Sequence, residues 1–180
     1  MNKKNVYLTG FMGSGKSTIG PILANTLGWD FYDLDCVIEN KSGMKIKEIF
    51  EIHGEDHFRN LERDTLIEVS ENNNIVVSLG GGTITNSQNL EALKRTGIIF
   101  YLKLSPDAAY KRLKHKKDRP VLLTDQGESI PKEDLLNKIK DLYEKRKIFY
   151  EKSDFIINTD NIPVGKTVDL IVKIILREME

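Results

Sequence analysis

One cysteine, Cys36, in 180 residues leaves no intramolecular disulfide to form, and that scarcity fits a reducing compartment. An excess of charge is missing too. The 27 basic residues balance 27 acidic ones, so no global pull draws the chain to nucleic acid or an anionic membrane. No apolar run approaches membrane-spanning length, and Met1-Asn2-Lys3-Lys4 leads straight into a short β-rich stretch without a signal-peptide apolar core. Internal repeats and low-complexity linkers are absent. What remains is a cytoplasmic chain with neither a nucleic-acid nor a membrane partner, expected to be a monomer. Its length suits one domain, 1–180, large enough to bury a core.

Against these absences stands Gly10-Phe11-Met12-Gly13-Ser14-Gly15-Lys16-Ser17. It follows the β-rich run Val6-Tyr7-Leu8-Thr9 and precedes a helix-like run from Thr18 to Leu27. This is the phosphate-binding pattern G-x-x-x-x-G-K-[ST] in its strand–turn–helix setting. Its glycines let successive N–H groups converge on a phosphate, and the helix that follows adds its positive end. Lys16 can reach the β- and γ-phosphates, and the Ser17 hydroxyl can ligate Mg²⁺. A nucleoside triphosphate with magnesium is the implied ligand.

Strand-like runs at about 5–9, 30–34, 75–79, 98–103 and 154–158 alternate with helical patterns. That alternation predicts a three-layer αβα sandwich around a five-stranded, mostly parallel sheet, of the P-loop NTPase type. Ser105-Pro106 offers an N-cap followed by Pro at the first helical position. Pro131 with Glu133 and Asp134, and Pro163 before the last apolar-periodic run, mark two more helix starts. A long helical pattern runs from about Ile46 to Val69, and another begins near Ser87. The weakly periodic segment at about 114–130 is long for a connection and is expected to be a lid.

Asp33-Leu34-Asp35 closes the second strand. Strand residues two apart share a face, so both carboxylates are expected on one side, at the ligand-binding ends of the strands. The alternative is that they open the next helix, with Asp35 as its N-cap. P-loop proteins commonly place a magnesium-supporting Asp at the end of another strand. Here Ile75-Val76-Val77-Ser78-Leu79 runs into Gly80-Gly81-Gly82 with no acid. Asp33 is then the nearest candidate to support the metal with Ser17. The triple glycine packs nothing itself and points to an unusual turn or a close backbone approach to a ligand.

Other residues read less sharply by themselves. Spacing alone makes Arg59 and Glu62 a surface ion pair, and Arg119 and Arg146 sit in ordinary charge runs. His53 and His57 are four apart, but they lack the glutamate of the zinc-protease pattern. Cys36 reads as a small packing residue.

In order along the chain, the motifs are Gly-Ser-Gly-Lys-Ser-Thr at 13–18, Asp33-Leu34-Asp35, Phe58-Arg59-Asn60-Leu61-Glu62, Ser78-Leu79-Gly80-Gly81-Gly82, Arg119-Pro120-Val121-Leu122 and Lys145-Arg146. Together they resemble the shikimate kinase family, small P-loop enzymes related to the nucleoside-monophosphate kinases. The resemblance implies transfer of the ATP γ-phosphate to the 3-hydroxyl of shikimate, toward chorismate and the aromatic amino acids. It implies ATP contacts from Gly13, Ser14, Gly15, Lys16, Ser17, Thr18, Arg112 near the adenine, and Arg119 on the phosphates. Asp35 matches the residue that binds the acceptor hydroxyl and is the candidate general base. Arg59 and Arg146 match the clamp on the shikimate carboxylate, Gly81 and Gly82 the contacts to its ring, and about 35–62 the helical region around it. Asp33 matches the residue that supports Mg²⁺. One departure lies at Asp160-Asn161-Ile162-Pro163, where an arginine of the adenine loop is missing. A gluconate-type sugar-acid kinase or a nucleotide kinase is the nearest rival. A GTP switch would need an Asn-Lys-x-Asp element, which the sequence lacks.

Overall fold

The computed structural model describes residues 5–113 and 131–179. In chain order the elements are β1 (Asn5–Thr9), α1 (Lys16–Leu27), β2 (Asp30–Asp33), α2 (Leu34–Ser42), α3 (Ile46–Ser70) and β3 (Ile75–Ser78). A 3₁₀ turn (Thr83–Thr85) follows, then α4 (Ser87–Thr96), β4 (Gly97–Lys103), α5 (Pro106–Leu113), α6 (Lys132–Tyr150), β5 (Phe155–Asn158) and α7 (Val164–Met179). The five strands form one sheet in the order β2-β3-β1-β4-β5. Every pairing is parallel, with Val6 opposite Val76 on one side of β1 and Ile98 on the other.

Strand periodicity explains the layering. Alternate side chains point to opposite faces, and both faces of the central strands are covered, as parallel sheets require. Tyr7, Val77, Ile99 and Tyr101 belong to one core, packed with residues of α2 through α6. Val6, Leu8, Val76, Ile98, Phe100 and Leu102 belong to the other, against Ile19 and Leu23 of α1 and Val168, Ile171 and Ile175 of α7. The three-layer αβα sandwich read from the sequence is therefore the observed architecture.

This layering also opens the site. The chain leaving β1 enters α1 on one face, while the chain leaving its neighbour β3 goes to α4 on the opposite face. Loops that part in this way create a crevice at the carboxyl ends of the strands.

Local signals explain most helix boundaries. Asn86 caps α4 by accepting from the N–H groups of Gln88 and Asn89 at 2.8 and 3.3 Å. Ser105 caps α5 by accepting from Ala108 N–H, with Pro106 as the first helical residue. Pro131 and Pro163 stand immediately before α6 and α7 rather than inside them.

Two readings change. The long pattern from Ile46 is broken at Gly54, whose φ of 82° and ψ of 174° are not helical. The Asp33–Asp35 segment is not all strand: Asp33 ends β2 and is the N-cap of α2, accepting from Cys36 N–H, so Asp35 lies in the first helical turn. The cap bends the chain after one carboxylate, which removes the strand alternation expected to align the two. The expected lid, about 114–130, lies outside the described residues.

Candidate active site

The crevice is a cleft of about 410 Å³. Residues from Met12 to Ile19 form one wall, with Asp33 and Asp35, Ser78 to Gly81, Arg112, Arg146 and the β5–α7 connection around the rest.

Its first part is the turn after β1. Gly10 has a φ of 141°, and a Cβ there would lie 2.5 Å from the Leu102 carbonyl oxygen, so glycine alone fits. Gly15, in the left-handed region, ends the turn at the start of α1. No side chain caps that helix, and its first turn carries no acid. Its leading N–H groups and dipole therefore form an anion site. Lys16 folds back over the turn, its Nζ donating to the Gly10 carbonyl at 2.8 Å. Ser17 Oγ donates to Asp33 Oδ2 at 3.2 Å, which joins the two residues expected at the metal. A hydroxyl and a carboxylate are hard oxygen donors, and Mg²⁺ takes one or two carboxylates together with phosphates and water. The pair fits that ion. Among the described residues no group of three His, Cys, Asp or Glu forms a fully protein-built metal cage.

The glycine turn after β3 faces this loop, and each of its glycines makes room for a different charged group. A Cβ on Gly80 would lie 3.0 Å from Asp35 Oδ1 and 3.1 Å from Glu62 Oε1. On Gly81 it would lie 3.0 Å from Arg146 Nη1, and on Gly82 3.1 Å from Arg59 Nη1. Contacts this short are tighter than a Cβ ordinarily makes, so a side chain at any of the three would have to push a charged group aside. The turn thus brings Asp35, Arg59 and Arg146 together from α2, α3 and α6.

Glu62 is the residue whose importance spacing concealed. It is 1% exposed, accepts from Thr83 Oγ1 at 2.6 Å and pairs with Arg59 Nη1 at 2.9 Å. The Arg59–Glu62 pair is therefore not a surface pair. Arg59 also donates through Nε and Nη2 to Glu55 Oε1 at 3.2 and 3.1 Å. Burial opposes the charge on Arg59, but the two glutamates outweigh it and raise its pKa above the ordinary value. A buried acid at i+3 beneath an arginine is invisible to spacing, which is the same for exposed pairs.

At the other end, Arg112 Nη1 donates to the Gly13 carbonyl at 2.9 Å and Nη2 to that of Thr159 at 2.7 Å. This guanidinium ties α5 to the phosphate loop and to the β5–α7 connection. Thr159, Ile162, Val164 and Thr167 line the cleft there, in the segment where the adenine-loop arginine is missing. Thr18 lines the cleft; Gly82 and Arg59 stand behind the glycine turn. Arg119 lies outside the described residues. Cys36 is exposed rather than packed, and partial desolvation by its neighbours, followed by the charges of Asp33, Glu39 and Asp35, pushes its thiol pKa up, which disfavours a nucleophile. His53 and His57 are exposed, their rings 4.7 Å apart across the break at Gly54.

Chemically the cleft joins a helix N-terminus and a lysine, a hydroxyl–carboxylate pair, a second carboxylate, and Arg146, with Arg59 behind the glycine turn. A family model described as "Shikimate kinase" matches residues 12–176. A shikimate kinase of Chlorobaculum parvum is 47% identical over 164 residues, covering 91% of this chain and 88% of its own. A shikimate kinase structure from Bacteroides thetaiotaomicron superposes with a TM-score of 0.88 at 34% identity, covering 96% of this chain and 98% of that one. Another, from Acinetobacter baumannii in complex with shikimate, gives 0.86 at 35% identity, with 97% and 93% covered.

Proposed function

This chain belongs to the shikimate kinase family, and on that premise we propose that it transfers the γ-phosphate of ATP to the 3-hydroxyl of shikimate. The products are shikimate 3-phosphate and ADP, on the route to chorismate and the aromatic amino acids. The observation that carries the reading is the convergence of Asp35, Arg59 and Arg146 on the glycine turn opposite the phosphate loop.

The donor is held by the phosphate loop. N–H groups of Gly13 and Gly15, and of α1 behind them, hold the phosphates in a loop whose turn is closed by Ser14 N–H on the Phe11 carbonyl, and Lys16 neutralises charge that grows on the transferring group. Thr18 adds a donor beside Ser17. Arg112 borders the adenine, and Arg119, by its place in the motif order, completes the charge on the phosphates. Ser17 and Asp33 would hold Mg²⁺, Asp33 largely through water, and the ion would supply positive charge that offsets that of the phosphates.

The acceptor is held by its carboxylate. A guanidinium presents two parallel donors to a carboxylate, and Arg59 and Arg146 supply two such forks from separate helices. The Gly81 and Gly82 backbone lies along the ring. Asp35 accepts the proton of the 3-hydroxyl as that oxygen bonds to the γ-phosphorus and the bond to the β-bridging oxygen breaks, releasing ADP. A base of this kind is worth about 10²–10⁴-fold in rate. Closure of segment 114–130 over the site would keep water from taking the phosphoryl group. The enzyme is read as a cytoplasmic monomer; among the described residues no helix is long and apolar enough to cross a membrane.

The test is a coupled ADP-release assay with shikimate, gluconate and nucleoside monophosphates as acceptors. Release that depends on shikimate alone is expected. Release with gluconate or a nucleotide, and none with shikimate, overturns the reading.

A further inference from the structure

Tyr150 ends α6, one helical turn beyond Arg146. Its side chain is fully buried, with the ring stacked on that of Tyr101 at a centroid distance of 5.1 Å. The hydroxyl donates to the Gly81 carbonyl at 2.7 Å, and Arg146 comes to the same glycine: a Cβ on Gly81 would lie 3.0 Å from Arg146 Nη1 and 3.7 Å from the Tyr150 hydroxyl. A phenol has one proton and two lone pairs, while a guanidinium only donates. The proton is committed to Gly81, so what the hydroxyl offers Arg146 is a lone pair. Gly81 thereby carries the bonded hydroxyl and has the guanidinium against it. Burial, partly offset by Arg146, pushes the Tyr150 pKa up to about 12, so the hydroxyl remains a neutral donor at any physiological pH.

We propose that Tyr150 is a positioning residue for the acceptor: its hydroxyl holds Arg146 against the Gly81 backbone, so the guanidinium meets the substrate carboxylate already oriented. The proposal rests on the reading of this cleft as a shikimate site. Arg146 is a long side chain with many rotamers, and its orientation would otherwise have to be fixed when substrate binds. Tyr150 removes that cost before binding.

Tyr150→Phe keeps the ring and its stack on Tyr101 but takes the shared oxygen from Gly81 and Arg146. The shikimate KM should rise about tenfold or more, with the ATP KM unchanged and kcat altered far less. Tyr143→Phe is the control. It removes another buried phenol, which contacts the Tyr101 hydroxyl at 3.2 Å, and should leave the shikimate KM where it was. In an Arg146→Lys background, Tyr150→Phe should change the shikimate KM far less than in the wild type, because its effect runs through Arg146. Equal rises in both KM values, equal rises in both phenylalanine variants, or additive effects in the double variant overturn the proposal. So does a Tyr150→Phe chain that fails to fold, since a structural role then accounts for the residue. Wild-type protein that does not turn over shikimate removes the underlying reading. Wild-type turnover with an unchanged shikimate KM in Tyr150→Phe removes this proposal alone.

Discussion

Asp35 shows how a residue's chemistry depends on where the backbone turns. It lies in the first turn of α2, where the helix dipole favours a negative charge, and its carboxylate faces the glycine turn close to Gly80. An ionised carboxylate held there suits a hydroxyl proton that must leave during transfer. Asp35→Asn keeps the shape and removes the basicity. It should lower kcat about 10²–10⁴-fold while nucleotide affinity, measured by calorimetry, stays near wild type. Near-normal turnover would take the base role from Asp35. At this scale the phosphate loop was legible from residue types alone, because only one arrangement of glycine, lysine and serine serves it. Glu62 was not: its 1% exposure comes from segments that meet it in space, Thr83 among them.

The element that departs most from its sequence pattern is α3. Its apolar positions continue through Gly54, yet the backbone there leaves the helical region. Nothing lies within 4 Å of where a Cβ on Gly54 would stand, so the barrier to substitution is backbone strain and not crowding. With φ of 82° and ψ of 174°, Gly54 sits where glycine is nearly the only residue found, at a cost of about 1–3 kcal/mol for others. Gly54→Ala should lower stability by that amount in chemical denaturation. An unchanged midpoint and slope would show that the helix straightens at no cost. The break matters because Glu55, Arg59 and Glu62 all follow it, and the direction of the second half of α3 sets where the arginine reaches. At the near end, Glu39 of α2 accepts from Ile46 N–H at 3.1 Å and pairs with Lys45. This contact links the two helices that carry Asp35 and Arg59.

Across the whole molecule, buried phenols tie stability to alkaline pH. Tyr7, Tyr101 and Tyr150 are each buried, and burial is the leading cause raising all three pKa values. A phenol with its folded pKa above the ordinary 10.0 holds its proton more tightly in the native state. Its stabilising effect is complete below pH 10 and disappears as pH rises through the folded pKa. Unfolding free energy should be flat in this respect through neutral pH. Above pH 10 it should fall by about 1.4 kcal/mol per pH unit for each such phenol. Denaturant titrations at pH 8, 9.5 and 11 measure this, and Tyr101→Phe should flatten the decline. A stability that holds constant to pH 11 would contradict it.

The sequence by itself determined the layers of this protein and the donor half of its site. Short apolar strand runs, buried on both faces, alternating with helices suit a parallel sheet between two helical layers, and the phosphate loop is contiguous, so its chemistry is written in adjacent residues. Even the triple glycine announced a close approach, though not of what. Tertiary structure decided the acceptor half. Asp35 and Arg59 stand on successive helices and Arg146 on a third far along the chain, and only the packing of α2, α3 and α6 around Gly80–Gly82 brings them to one turn. It also decided that Glu62 is buried and that Tyr150 reaches Gly81, because burial and long-range hydrogen bonds depend on which surfaces meet. Local sequence does not contain that information.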